Sequence, residues 1–168
     1  LDKYERKIKR LQQELSRKIK SSKNYIKCKK KIEEVYRKLK NARKKTVEEI
    51  VSNITRNHDI IIAENLQVKK MLEKKNNHKR LRKEITNATF SEIIRTLKYK
   101  CLWLNKTFIQ VNSYYPSSQI CSRCGNKNEE MKDLGVREYH CGKCGLEIER
   151  DYNASINILN EGLKCYNN

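Results

Sequence analysis

Asp59-Ile60-Ile61-Ile62-Ala63-Glu64-Asn65-Leu66 sets four apolar residues side by side, three of them β-branched, and then turns to an acid. A run of this kind lacks the alternation of a half-exposed strand, so it reads as a buried central strand. Helices are read before it and, after a basic loop, beyond it. Strands alternating with helices indicate an α/β fold.

Ahead of that strand, Leu1, Tyr4, Ile8, Leu11, Leu15 and Ile19 step by three and four, the period of an amphipathic helix. Ser21-Ser22-Lys23-Asn24 interrupts the pattern with turn-prone residues. The rhythm resumes at Cys28, Ile32, Val35, Leu39 and Ala42 and continues through Val47, Ile50, Val51 and Ile54. Residues 1–57 therefore read as a helical hairpin whose second arm is the longer. Coiled-coil dimerisation is the alternative, but the run is short for one and the two arms can pair with each other. All five glycines and the single proline fall after residue 115, so nothing earlier breaks a helix by itself.

Beyond the strand, residues 69–83 are basic and lack a clear period, which predicts a loop with some helix. Thr89 and Glu92 have the spacing of a capping box. They open a helix whose expected inward face is Phe90, Ile93, Ile94, Leu97, Cys101 and Leu104. A second strand is predicted over Thr107–Val111, then a loop at Tyr114-Tyr115-Pro116-Ser117-Ser118. The last helix is expected from Asn153 to Leu163, with Ala154, Ile158 and Leu159 inward. Residues 58–118 thus form a core unit, 119–148 a cysteine-bearing unit, and 149–168 a return to the core.

Composition narrows the function. The chain has 168 residues, 37% hydrophobic and 35% charged, with 39 Lys and Arg against 20 Asp and Glu, a formal charge of +19. That length buries an ordinary core without disulfides. No run of 18 apolar residues exists to span a bilayer, and the opening stretch has no apolar signal region. A membrane protein and a secreted mini-protein are both excluded. The first residue is Leu rather than Met, which suggests a fragment.

The charge is unevenly spread. Residues 1–57 carry 20 basic and 7 acidic side chains, residues 58–113 carry 12 and 5, and residues 114–168 carry 7 and 8. A basic excess at this density points to a polyanion, and nucleic acid is the commonest inside a cell. A solvated lysine-rich helix face is the bland alternative, and an anionic membrane surface the competing one. Lys69, Lys70, Lys74, Lys75, Lys79, Arg80, Arg82 and Lys83 form one dense block just after Glu64, placed to track phosphates.

Cys121-Ser-Arg-Cys124 and Cys141-Gly-Lys-Cys144 give the pattern C-x₂-C-x₁₆-C-x₂-C. This is the spacing of a four-thiolate zinc ribbon, in which two intervening residues let both sulfurs of a knuckle reach one ion. Gly125 and Gly145 each follow the second cysteine, where a tight turn favours positive φ. Four sulfurs close the coordination sphere, so the metal is expected to be structural zinc; an iron–sulfur centre is the alternative. Cys28 and Cys101 fit apolar helix faces as packed thiols, and Cys165 is isolated.

Two acids stand out. Glu64 ends an apolar strand, and ligands of α/β sheets gather at the carboxyl ends of strands. Asp151 precedes the last helix within Glu149-Arg150-Asp151-Tyr152-Asn153, where a plain N-cap is the alternative purpose.

Taken in order, Ile61-Ile62-Ala63-Glu64-Asn65-Leu66, Leu97-Lys98-Tyr99-Lys100, Tyr114-Tyr115-Pro116-Ser117-Ser118, the four cysteines, and Arg150-Asp151-Tyr152-Asn153-Ala154-Ser155-Ile156-Asn157-Ile158-Leu159 resemble TnpB (OrfB). These are transposon-encoded proteins related to the type V CRISPR effectors. The resemblance runs over nearly all of the chain but over only the C-terminal part of a full member. It implies a partial RuvC-like domain of ribonuclease H fold, with an N-terminal helical hairpin and a zinc ribbon inserted before the last motif. It further implies an RNA-guided DNA endonuclease using three carboxylates and magnesium, with guide RNA and DNA as partners and a cytoplasmic, nucleoid-associated location. Glu64 falls on the family's second catalytic acid and Asp151 on its third. The first, an Asp on a strand before the hairpin, has no counterpart here, which implies that this chain alone is inactive. Where many members have Asp-Arg-Asp, this chain has Glu149-Arg150-Asp151. A non-catalytic nucleic-acid-binding remnant or regulator is the alternative function. A zinc-ribbon adaptor between proteins would leave the basic two-thirds unexplained.

Overall fold

The computed structural model describes residues 1–67, 89–133 and 135–167. Helix α1 spans Asp2–Ser16 and α2 Lys23–Asn57; strand β1 is Ile60–Glu64, helix α3 Phe90–Trp103 and strand β2 Thr107–Val111. The cysteine-bearing unit holds β3, Glu138–His140, and β4, Glu147–Glu149, before the final helix α4, Arg150–Asn167. The block Lys69, Lys70, Lys74, Lys75, Lys79, Arg80, Arg82 and Lys83 lies outside the described residues.

The hairpin turns where Ser21 adopts a φ of 66° and Ser22 caps α2 by accepting the Tyr25 N–H at 3.1 Å. Ile8 and Leu11 of α1 pack on Cys28, Ile32, Val35 and Leu39, with Tyr4 and Leu15 at the margin. Leu1 and Ile19, at the ends of the apolar pattern, are exposed, because Ile19 lies beyond the end of α1. Helix α2 has 35 residues, about 52 Å of helix, and so serves two cores. Its first half closes the hairpin. Its second half buries Val47 and Val51 against Ile61, Leu97 and Cys101.

Strands β1 and β2 pair in parallel, Ile60 opposite Thr107 through Glu64 opposite Val111, with α3 in the connection between them. Lys106 pins the start of both strands. Its Nζ lies 3.0 Å from the Asp59 carboxylate and donates to the His58 carbonyl at 3.0 Å. Among the described residues β1 is bonded to β2 alone, and only its Ile61 is buried. The fully buried central strand expected from the run of isoleucines is therefore, in the described residues, a half-buried one.

Two further expectations need correction. Thr89 is left-handed, at φ 53°, and its side chain makes no cap; Glu92 instead pairs with Arg95 at 2.5 Å. The capping box fails because its Thr lacks the extended backbone that aims an N-cap oxygen at the helix. Phe90 and Leu104 are exposed, so the inward face of α3 narrows to Thr96, Leu97 and Cys101, with Ile93 packed beside them. Cys28 and Cys101 are packed thiols, as their helix faces predict.

Helix α4 lies on the other face of the sheet. A Cβ added at Gly162 would come within 2.8 Å of Ile62 Cδ1. The expected inward residues fare unevenly: Ala154 and Ile158 are half-buried and Leu159 is exposed, while Asn153 and Asn157 are buried. Polar side chains sit inside because this part of α4 meets backbone rather than apolar side chains. Gly162→Ala sets two effects against each other. Helix propensity favours Ala by about 1 kcal/mol, while overpacking against Ile62 costs about 1–3 kcal/mol. Urea melts should show a net loss of stability, which Ile62→Ala should suppress in the double variant.

Candidate functional site

The cysteines form two matching knuckles. In each, the first cysteine's carbonyl accepts from the glycine N–H, Gly125 to Cys121 and Gly145 to Cys141, both at 2.9 Å. The first cysteine's own N–H donates five residues on, Cys121 to Asn126 and Cys141 to Leu146, again at 2.9 Å. Gly125 and Gly145 have φ values of 72° and 67°, the left-handed conformation that lets each chain segment fold back. Strands β3 and β4 pair antiparallel on either side of the second knuckle.

Sγ of Cys121 lies 3.6 Å from that of Cys144, and Sγ of Cys124 lies 3.6 Å from that of Cys141. All four ligand atoms fall within 4.8 Å of one another. A disulfide would need about 2 Å, so these are four free thiols. Four sulfurs around a tetrahedral ion at about 2.3 Å stand about 3.8 Å apart, so the group could hold a metal ion. Backbone N–H groups of Cys144 and Lys143 draw the Cys141 thiol below its ordinary value, while burial pushes that of Cys144 up. Tyr139, wholly buried beneath the knuckles, donates its hydroxyl to the Asn126 carbonyl at 3.1 Å. Desolvation and the surrounding thiols push that phenol up to about 12, so it stays a donor.

The ribbon is fastened to α4 by residues that sequence patterning passed over. Asn153 Nδ2 donates to the Ile120 carbonyl at 2.7 Å, and its Oδ1 accepts the Ser122 N–H at 2.9 Å. Asn157 Nδ2 reaches the carbonyls of Ser117 and Ile120 at 2.8 and 2.6 Å. The buried Arg150 donates to the carbonyls of Asp133 and Val136. The available signal was two asparagines four apart on one helix, a spacing that shares a face.

Glu64 is the last residue of β1, half-buried, and burial lifts its carboxyl above the ordinary value. Asp151 lies in the first turn of α4, inside the helix rather than at its N-cap, and is exposed. Among the described residues neither carboxylate has a hydrogen-bond or ion-pair partner. They do share a side. Glu64 points to the same face of β1 as Ile62, which meets Gly162, and Asp151 lies on the helical stripe 151, 155, 158, 162. The first half of α4 lies at the carboxyl end of the sheet, where Asn157 holds Ser117, six residues past β2.

Two family models match the chain. One, OrfB_IS605, described as "Probable transposase", covers residues 1–75, and the other, described as "Cas12f1-like, TNB domain", covers residues 90–158. The chain belongs to the TnpB (OrfB) family. A "Putative RNA-guided DNA endonuclease" of Streptomyces pristinaespiralis is 32% identical over 152 residues, 90% of this chain and 36% of that protein. TnpB-like protein L79 of Acanthamoeba polyphaga mimivirus is 32% identical over 133 residues, 77% of this chain and 24% of that one. Among solved structures, a chain of the Cas12f1–sgRNA–target DNA complex matches with a TM-score of 0.55 at 26% identity, covering 82% of this chain and 38% of its own. This TnpB-family chain therefore spans well under half the length of the relatives it matches. Among the described residues, no helix is long and apolar enough to cross a membrane.

Two outcomes follow from the site. Cys124→Ser should release the metal and unfold the ribbon while leaving α1 and α2 folded, because metal binding at such sites is coupled to folding. Elemental analysis, expected to give one ion per wild-type chain, and far-UV circular dichroism check it. For Glu64, the folded pKa is raised, so its stabilising contribution is full below the unfolded value and is lost as pH rises through the folded one. Glu64→Gln should therefore raise Tm modestly at neutral pH and make little difference below about pH 4. Thermal melts across that range measure the crossover.

Proposed function

We propose that this chain is the C-terminal portion of an RNA-guided DNA endonuclease, in which 58–118 and 149–168 form a RuvC-like core around the inserted ribbon, 119–148. The observation that supports it most directly is the pair of acids, Glu64 and Asp151, on the α4 side of the sheet at its carboxyl end, neither carboxylate having a partner among the described residues. A half-buried carboxylate at the end of a strand is suited to a cation, and hard oxygen ligands suit Mg²⁺. Bound there, magnesium would activate water and steady the leaving oxygen of a phosphodiester displacement. Zinc is the metal we assign to Cys121, Cys124, Cys141 and Cys144, as a structural ion.

Guide RNA and target DNA are the partners of this reading, and the basic surface supplies the contact. Lys7, Arg10, Lys31 and Lys38 line a groove of about 360 Å³ between α1 and α2 together with Glu14 and Glu34, over the buried Leu11 and Val35, and Lys38 is paired with Glu34. Four cations against two acids leave the groove net positive, which suits phosphates, and in sequence the basic excess continues in the block from Lys69 to Lys83. The family's chemistry takes three carboxylates, of which Glu64 and Asp151 are two, so residues 1–168 by themselves should bind without cutting.

Binding and cleavage test this in turn. Affinity for nucleic acid should fall by about 10³ or more between 50 and 200 mM salt if six or more phosphates are neutralised, and Arg10→Glu with Lys31→Glu should weaken it. Cleavage should be absent with Mg²⁺ and RNA, appear when the rest of a full-length relative is supplied, and vanish again in Glu64→Gln or Asp151→Asn. Binding that persists without any rescued cleavage would leave a nucleic-acid-binding regulator. Metal-dependent cleavage by the chain alone, lost in both variants, would refute the count of acids.

A further inference from the structure

Asn153 is wholly buried, two residues after Asp151, and its amide is used at both ends. It donates to the carbonyl of Ile120 at 2.7 Å and accepts from the N–H of Ser122 at 2.9 Å. These two peptide groups flank Cys121, the first sulfur of the cage. A single side chain on α4 thus brackets a candidate metal ligand through the backbone on both sides of it. Asn157, one turn later, takes the same Ile120 carbonyl, so the clasp runs along one face of the helix.

We propose that Asn153 is a positioning residue that couples metal occupancy of the knuckles to the placement of the first turn of α4, and hence of Asp151. The residue type is demanded by the geometry. Only a planar amide offers one donor and one acceptor in this fork; Asp keeps the acceptor and loses the donor, and an apolar side chain has neither. Partners in the outer shell of a metal site orient its ligands, and their loss weakens metal binding by about 10–100-fold. The coupling is reciprocal, so what steadies α4 tightens the metal and what removes the metal loosens α4. Its consequence for Asp151 rests on the nuclease reading above. The coupling itself does not.

The test uses the full 168-residue chain, cobalt(II) as the probe, and hydrogen exchange as the second readout. Asn153→Asp keeps the shape and the bond from Ser122 but sets a carboxylate against the Ile120 carbonyl. It should lower cobalt affinity about 10-fold or more in chelator competition and alter the thiolate–cobalt absorption. In the metal-loaded variant, amides 151–157 should exchange faster than in wild type, with α1 unchanged. Stripping metal from the wild type should have the same effect on 151–157, a comparison that stands even if the variant fails to fold. A merely structural asparagine would lower Tm and leave cobalt affinity and spectrum untouched, which overturns the proposal. So does protection of 151–157 that ignores the metal. Neither readout involves cleavage, so failure of the nuclease reading would be seen separately.

Discussion

Parallel pairing of Ile60–Glu64 with Thr107–Val111 is the constraint from which the rest of the core follows. Parallel strands cannot be joined by a tight turn, so the chain must cross over the sheet, and α3 lies in that crossover. Both strands also end on the same side, Glu64 beside Val111. The chain leaving β2 there builds the ribbon, and α4 returns from the ribbon onto the face opposite α3. One pairing thus brings an acid, a candidate metal-binding unit and a helix start to one end of the molecule.

The two faces of that sheet are covered by different means. On one, Val51 and Leu97 meet Ile61 in an apolar cluster extended by the second half of α2. On the other, Gly162 lets α4 approach Ile62 closely. Further along, α4 touches the ribbon through amide hydrogen bonds to backbone, which are directional where apolar packing is not. Directional contacts of this kind set rotation as well as distance, and rotation decides where the first-turn acid points.

Electrostatics divides the chain in the same way. The hairpin is strongly basic, with most of its few acids held in pairs such as Glu14–Lys18 and Glu34–Lys38 on the helix surface. Such exposed pairs contribute little to stability, so the surplus charge adds little to the scaffold. The ribbon half is near neutral, and its core is the cluster of Cys121, Met131, Tyr139 and Cys141 with Val136, Leu146 and Ile148 packed against it.

Local chemistry made much of this legible in the sequence. Apolar residues at three and four spacing marked α1 and α2, because a helix needs only one continuous stripe to bury. The paired C-x₂-C-Gly segments announced the knuckles, because sulfur spacing and a positive-φ glycine are properties of a few neighbouring residues. Order and spacing of motifs also pointed to the TnpB family. What stayed hidden depended on residues distant in the chain. Thr89 carries the letter of a capping box, but its backbone is left-handed. Phe90 and Leu104 fit the period of α3 and yet lie at its exposed ends. Asn153 and Asn157 look like surface polar residues and are buried, since their partners, Ser117, Ile120 and Ser122, lie more than thirty residues away. Hydrophobic periodicity records which residues leave water; which backbone groups an inward amide will meet is decided only when the ribbon folds against the helix.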